Sequence, residues 1–158
     1  MNGKFLSSLH LKGFLSFGPE SEAVNLTPLN VLIGPNGAGK SNFIEALELL
    51  HALPGDLSDA VRIGGTAGEW LWKGSFPPAP ASIDAKLAAL HGRHELSYRL
   101  SFTQAKGRLE ILDEALEESA KARPDADDVF FYYRYQNGRP AINVRSTDGK
   151  GHTERRLK

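Results

Sequence analysis

The sequence predicts an α/β fold: a mixed sheet around a strand–loop–helix core, with an antiparallel β-meander attached. Three observations predict it. Residues 29–33, LNVLI, are apolar at all but one position and pass directly into a glycine-rich loop. Such a run suits a strand covered on both faces, as in parallel and mixed sheets. From Ser41 the period changes, with Phe43, Ile44, Leu47 and Leu50 at helical spacing. Beyond residue 82, short apolar segments separated by glycine-containing turns have the pattern of a meander.

The elements follow in order. FLSSLHLKGF alternates, with Phe5, Ser7, Leu9 and Leu11 on one side, and reads as a strand that Gly18-Pro19 breaks. A short second strand is expected over 23–26. The helix after the loop ends at Pro54-Gly55. Residues 55–81 form an irregular connection in which Trp70 and Trp72 pack on one side of a short strand. The meander is then expected as strands over 83–90, 96–102, 108–112, 129–135 and 141–145. Its turns fall near His91-Gly92, at Lys106-Gly107 and at Asn137-Gly138, the last a preferred two-residue hairpin dipeptide. Pro140 puts the last of these strands at an edge or a start. DEALEESAKA, from residue 113, is open: helix by propensity, or a continuation of the strand through Leu116.

At 158 residues the chain fits one domain with a real core. Lys+Arg and Asp+Glu are each 19, so net charge points neither toward nor away from a polyanionic partner. The absence of cysteine excludes disulfides and thiolate metal sites. No export signal or membrane-length apolar run is present, and a cytoplasmic protein is expected.

Gly34, Gly39, Lys40 and Ser41 satisfy G-x-x-x-x-G-K-[ST] within GPNGAGKSN. The glycines let the backbone curl so that successive N–H groups point at phosphate oxygens. The helix starting near Gly39 adds its positive end. In this chemistry Lys40 reaches the β- and γ-phosphates and the Ser41 hydroxyl ligates Mg²⁺. The motif lies between an apolar strand and an amphipathic helix, the context it requires. The expected site is therefore Gly34, Asn36, Gly37, Ala38, Gly39, Lys40, Ser41 and Asn42, with ATP and Mg²⁺ as ligands and Lys40 also placed in catalysis.

The segment from Leu9 to Leu50 resembles the N-terminal head segment of ABC-type ATPases of the RecF, SMC and OLD kind, a predicted AAA-family group. The resemblance rests on Gly13-Phe14-Leu15-Ser16-Phe17, similar to a family turn, and on NVLIGPNGAGKSNFIEAL, residues 30–47. Asn42 and Glu45 are typical of this group. The strong match covers residues 5–50. AVRIGG, 60–65, resembles an SMC segment that carries an arginine near the phosphates, which would make Arg62 a nucleotide contact. The family often has a basic residue where this chain has Leu15, so a phosphate or DNA contact is not carried over there.

The resemblance implies an incomplete ABC-type head: a single N-terminal lobe over 1–158, with a P-loop core (1–54), the irregular connection (55–81) and an antiparallel β-subdomain (82–158). It implies ATP-driven clamping of two heads, linked to DNA maintenance or anti-phage defence. A homodimer or a C-terminal lobe would complete the site, and DNA is a partner by resemblance alone. The alternative is a stand-alone, nucleotide-responsive protein-interaction module without hydrolysis.

Such an ATPase also needs a Walker B strand and a serine-glycine signature. LEILDEAL, with Asp113-Glu114, is the tempting candidate for the first. Glu110 interrupts its apolar run, and it follows a hairpin turn, which suits a meander and not a parallel strand. Neither element is assigned, and ATPase activity is expected only as part of a longer chain or complex. Gln104 reads as a turn-flanking residue, and His91 with His94 lacks the companions of a metal site. Arg145, Lys150, Arg155, Arg156 and Lys158 read as a solvated basic tail, with nucleic-acid backbone contact as the sharper alternative.

Overall fold

A computed structural model of the chain describes residues 5–53, 67–88, 94–120, 129–136, 138–145 and 152–156. Their strands are β1 (Leu6–Lys12), β2 (Val24–Asn25), β3 (Ala81–Leu87), β4 (Leu96–Ala105), β5 (Arg108–Glu118), β6 (Phe131–Gln136), β7 (Arg139–Arg145) and β8 (His152–Arg156). They form one sheet in the order β2-β1-β3-β4-β5-β6-β7-β8. The single α-helix among the described residues, α1, spans Lys40–Ala52, and Ala67–Glu69 makes a 3-10 turn.

Alternation makes one face of this sheet. Leu9 and Leu11 of β1, Ala81, Ile83 and Ala85 of β3, and Leu100 and Phe102 of β4 are all buried. α1 contributes to the same core with Phe43, Ala46 and Leu49. Its buried stripe is thus turned slightly from the expected one: Leu47 and Leu50 are only partly buried, and Ile44 is 48% exposed. α1 ends at Ala52, just before Pro54.

The mixed sheet expected from the sequence does not form among the described residues, where every strand pairing is antiparallel. Residues 29–33 join no strand, and β1 already has β2 and β3 on its two edges. The run expected to be buried on both faces is exposed instead: Leu29 by 82%, Val31 by 76% and Ile33 by 88%. Beside it an apolar groove of about 500 Å³ is lined by Phe5, Leu26, Leu29, Leu32, Phe43 and Leu47.

Three other expectations change. The open segment after Leu112 is strand: β5 continues to Glu118, paired with β4 throughout and with β6 at its end. Cross-strand partners override the helix propensity of its alanine- and glutamate-rich sequence. The basic tail contains a strand, β8, paired with β7 from Arg145↔His152 to Ala141↔Arg156. β7 is therefore internal, and Pro140 sits near its start. Lys106 and Gly107, at φ 52 and 78, close the β4–β5 hairpin as expected. Positive φ at both central residues is the geometry of a two-residue turn whose twist matches its strands.

Phe14 joins these parts. It is fully buried, and its ring stands edge-on to Trp70 at 5.7 Å and to Phe102 at 6.2 Å. Its backbone bridges Leu71, while Leu15 N–H donates to Trp70 O and Trp72 N–H to Gly13 O, both at 2.8 Å. Trp70 is buried as expected, and Trp72 packs over Gly18 and Gly74. Phe14→Ala removes the ring on which these contacts converge. Its expected cost is about 3–5 kcal/mol in urea denaturation.

Candidate phosphate-binding site

The loop of residues 34–39 opens directly into α1. Gly37 and Gly39 have φ of 81 and 86, the left-handed region that glycine enters without steric cost. Gly39 is the N-cap residue of α1. The helix has no side-chain cap and no acidic residue in its first turn. Its first N–H groups have no intrahelical acceptors, and its positive dipole end is not offset by a nearby carboxylate. The loop closes on itself: Ala38 N–H donates to Pro35 O at 3.3 Å, and a Cβ on Gly34 would touch Ala38 Cβ at 3.4 Å.

Lys40 folds back over this loop. Its ammonium donates to Gly34 O and Pro35 O, each at 2.8 Å. A full positive charge therefore stands over the start of the loop, one residue after the glycine that opens the helix. Asn36, Gly37, Ala38 and Ser41 are exposed and Asn42 is half-buried. The donor set suits a polyphosphate: backbone N–H groups, an ammonium and a hydroxyl, with glycine where a side chain would crowd the loop. Arg62, the further nucleotide contact expected by resemblance, lies outside the described residues.

A neighbour that carried no assigned role also reaches the loop. The turn after β1 brings Ser16 against Gly39, where a Cβ would lie 2.7 Å from Ser16 Oγ. Phe17 follows it, its ring 6.4 Å from that of Phe43 on α1. In the sequence Ser16 stands only as part of the Gly13-Phe14-Leu15-Ser16-Phe17 turn that carries the resemblance, with no ligand role attached. What marks Ser16 is a contact with a residue 23 positions away.

The acidic pair Asp113-Glu114 is not part of this site. It lies on β5, three places along the sheet from β1. Asp113 accepts from Arg99 Nε at 2.6 Å, and this hydrogen bond pushes the Arg99 guanidinium above its ordinary value. Glu114 accepts from Tyr98 OH at 2.7 Å. Glu117 pairs with Arg134 at 2.9 Å, and Arg134 lies 4.6 Å over the Phe131 ring. These carboxylates bind strand to strand. Gln104 is exposed, close to Gly68 of the 3-10 turn. Among the described residues no three His, Asp or Glu side chains group as a metal site, and His91 lies outside them. No described helix is long and apolar enough to cross a membrane.

With this geometry the chain matches, over residues 29–150, the family described as "AAA domain, putative AbiEii toxin, Type IV TA system". The chain belongs to this AAA family. The AAA domain is also similar to chromosome partition proteins Smc. It is 44% identical to that of Halothermothrix orenii over 43 residues, 27% of this chain and 4% of the relative. With that of Gloeobacter violaceus it shares 38% identity over 71 residues, 40% of this chain and 6% of the relative. The chain thus spans only a small fraction of these curated relatives. A solved SMC ATPase, studied for ATP-driven dimerization and DNA-stimulated activation, superposes with a TM-score of 0.50 at 25% identity. That match covers 67% of this chain and 72% of the other. The domain therefore has an SMC ATPase-like fold, its described residues forming an antiparallel sheet with one α-helix.

Two predictions follow from these contacts. Gly39→Ala places a Cβ against Ser16 and forces a left-handed φ, and is expected to destabilise by about 1–2 kcal/mol or more in urea. Gly37→Ala has the same φ penalty but nothing within 4 Å, so it is expected to cost less. Burial, then the hydrogen bond to Glu114, raises the Tyr98 hydroxyl above its ordinary pKa; burial and Glu114 raise Tyr133 likewise. The folded state then holds these protons more tightly than the unfolded chain. Their contribution is complete below about pH 10 and is lost as pH rises beyond it. Denaturation midpoints followed upward from pH 8 are expected to hold to about pH 10 and then fall, and Tyr98→Phe to flatten the decline.

Proposed function

We propose that the loop of residues 34–41 binds ATP as its magnesium complex, and that this AAA domain is the nucleotide-binding lobe of an SMC- and RecF-like ATPase. The observation that carries the reading is the loop itself. Left-handed glycines open onto an uncapped helix, and the Lys40 ammonium is held over the loop by two carbonyls. In this reading residues 1–54 carry the site and 82–158 form a β-subdomain beside it.

The loop carbonyls now held by Lys40 are dipoles. A triphosphate offers the ammonium full charges and stronger hydrogen bonds. On binding, Lys40 Nζ turns to the β- and γ-phosphate oxygens, while the N–H groups from Gly37 through Ser41 surround the phosphates. The Ser41 hydroxyl would hold Mg²⁺, which when bound neutralises phosphate charge. Asn42, the next residue of the first turn, is half-buried and is kept among the residues proposed to contact the ligand.

The exposed residues 29–33 bear on the same reading. A strand apolar on both faces next to a phosphate loop calls for neighbours on its edges and cover on its faces. We propose that the cover is the complementary part of an ATPase head, on the same polypeptide or on a partner, and that it supplies the acidic and signature residues hydrolysis needs. ATP would then clamp two heads together, in DNA maintenance or anti-phage defence; the dimerization and DNA response studied for the SMC ATPase favour this over a module that only signals nucleotide.

Calorimetry with ATP and Mg²⁺ tests the binding, and light scattering with and without ATP tests the clamp. Wild type is expected to bind, and Lys40→Ala to lose at least about tenfold in affinity, the scale of one charged hydrogen bond. Nucleotide-dependent dimerization supports the clamp, and binding without it refutes the clamp alone. A wild-type chain that takes up no ATP at millimolar concentration refutes the site.

A further inference from the structure

The turn after β1 is built to deliver one hydroxyl to the loop. Phe14 and Phe17 exchange backbone hydrogen bonds, 3.1 Å from Phe14 N–H to Phe17 O and 2.8 Å in return. Leu15 between them is tied to Trp70 O at 2.8 Å. It adopts a φ of 49, a left-handed conformation that is costly for a branched side chain. A conformation of that kind persists only where its surroundings over-determine it. Here the fixed points are the buried Phe14 ring, the Trp70 carbonyl and the Phe17–Phe43 ring contact. Their joint result is the position of Ser16, exposed to solvent with its Oγ against Gly39.

Gly39 immediately precedes the first helical N–H groups, on which a bound phosphate would rest. A hydroxyl beside it can rotate its proton toward an anion held there. We propose that Ser16 is a nucleotide-binding residue whose hydroxyl donates a hydrogen bond to a phosphate oxygen of the ligand held by residues 34–41. The proposal rests on the nucleotide reading of the loop and adds to it a contact from outside the glycine-rich motif. It also gives Gly39 a second requirement besides its φ: a side chain there would occupy the space through which Ser16 reaches the ligand. Because Ser16 is neutral, its contribution is a directed hydrogen bond with little dependence on salt, unlike that of Lys40.

The test is calorimetric titration of wild type, Ser16→Ala and Ser16→Leu with ATP·Mg²⁺ and with GTP·Mg²⁺, alongside the melting temperature of each protein without nucleotide. Ser16→Ala is expected to bind roughly tenfold more weakly, the scale of one hydrogen bond to a charged group. The loss should be equal for the two nucleotides, because a phosphate contact is blind to the base, and the nucleotide-free melting temperature should be unchanged. Ser16→Leu, which puts bulk over Gly39, is expected to lose more. Ser16→Ala binding as tightly as wild type overturns the assignment and leaves the loop reading standing. A loss confined to one nucleotide, or one that tracks a lowered melting temperature, also overturns it. Absence of binding by wild type removes the loop reading and this contact together.

Discussion

Burial of the Phe14 ring is the constraint on which the site depends. The ring is wedged between Trp70 and Phe102, so the chain leaving β1 must turn where it does. Everything placed after that turn inherits its position. Phe17 meets Phe43, which orients α1 against the sheet, and Ser16 meets Gly39, where α1 begins. The loop of residues 34–39 is therefore not a free glycine-rich tether. Its helix end is braced by α1 packing through Phe43, Ala46 and Leu49, and its flank by a turn whose conformation is set from the core. Preorganisation of this kind matters because ordering a flexible loop at the moment of binding would subtract from affinity.

The other end of the loop has no such brace. Residues 29–33 carry the side chains of an interior strand yet stand in solvent. Hydrophobic stabilisation that the sequence provides for is thus not collected among the described residues. The contrast between a braced helix side and an uncovered strand side explains how one loop can be recognisable in form and still need a neighbour. Closing a cover over 29–33 would also fix the segment that leads into Gly34, and so would couple assembly of the fold to the geometry of the loop.

What the sequence revealed and what it hid divide by the range of the interactions involved. The loop, the start of α1 and the Lys106-Gly107 turn were legible because their chemistry lies in contiguous residues: glycines for positive φ, a lysine after them, apolar spacing beyond. The buried strand expected over residues 29–33 does not form among the described residues, where the segment is exposed and pairs with no strand. β5 was undecided beyond Leu112 because its strand state is imposed by β4 and β6, including Arg99, Tyr98 and Arg134. β8 was missed because HTERR has little apolar signal and gains its state from pairing with β7. Ser16 was legible only as part of the turn that carries the resemblance, and its contact with Gly39 could not be read from neighbouring residues.

The disposition of charge bears on what this domain can do alone. The one acidic pair that follows an apolar stretch, Asp113-Glu114, is engaged by Arg99 and Tyr98, and Glu117 by Arg134. Each is a half-buried contact between neighbouring strands, where removing one partner leaves a polar group poorly solvated. Drawing Asp113 or Glu114 away to activate water would give up side-chain contacts that reinforce the β4–β5 ladder. The phosphate loop, by contrast, presents donors and positive charge with no acid in the first helical turn. On the proposed reading, donors and positive charge hold the polyphosphate, and a base to direct a nucleophile is a separate requirement. If residues 34–41 hold nucleotide as proposed, hydrolysis would call for a carboxylate other than Asp113 and Glu114, which are engaged within the sheet.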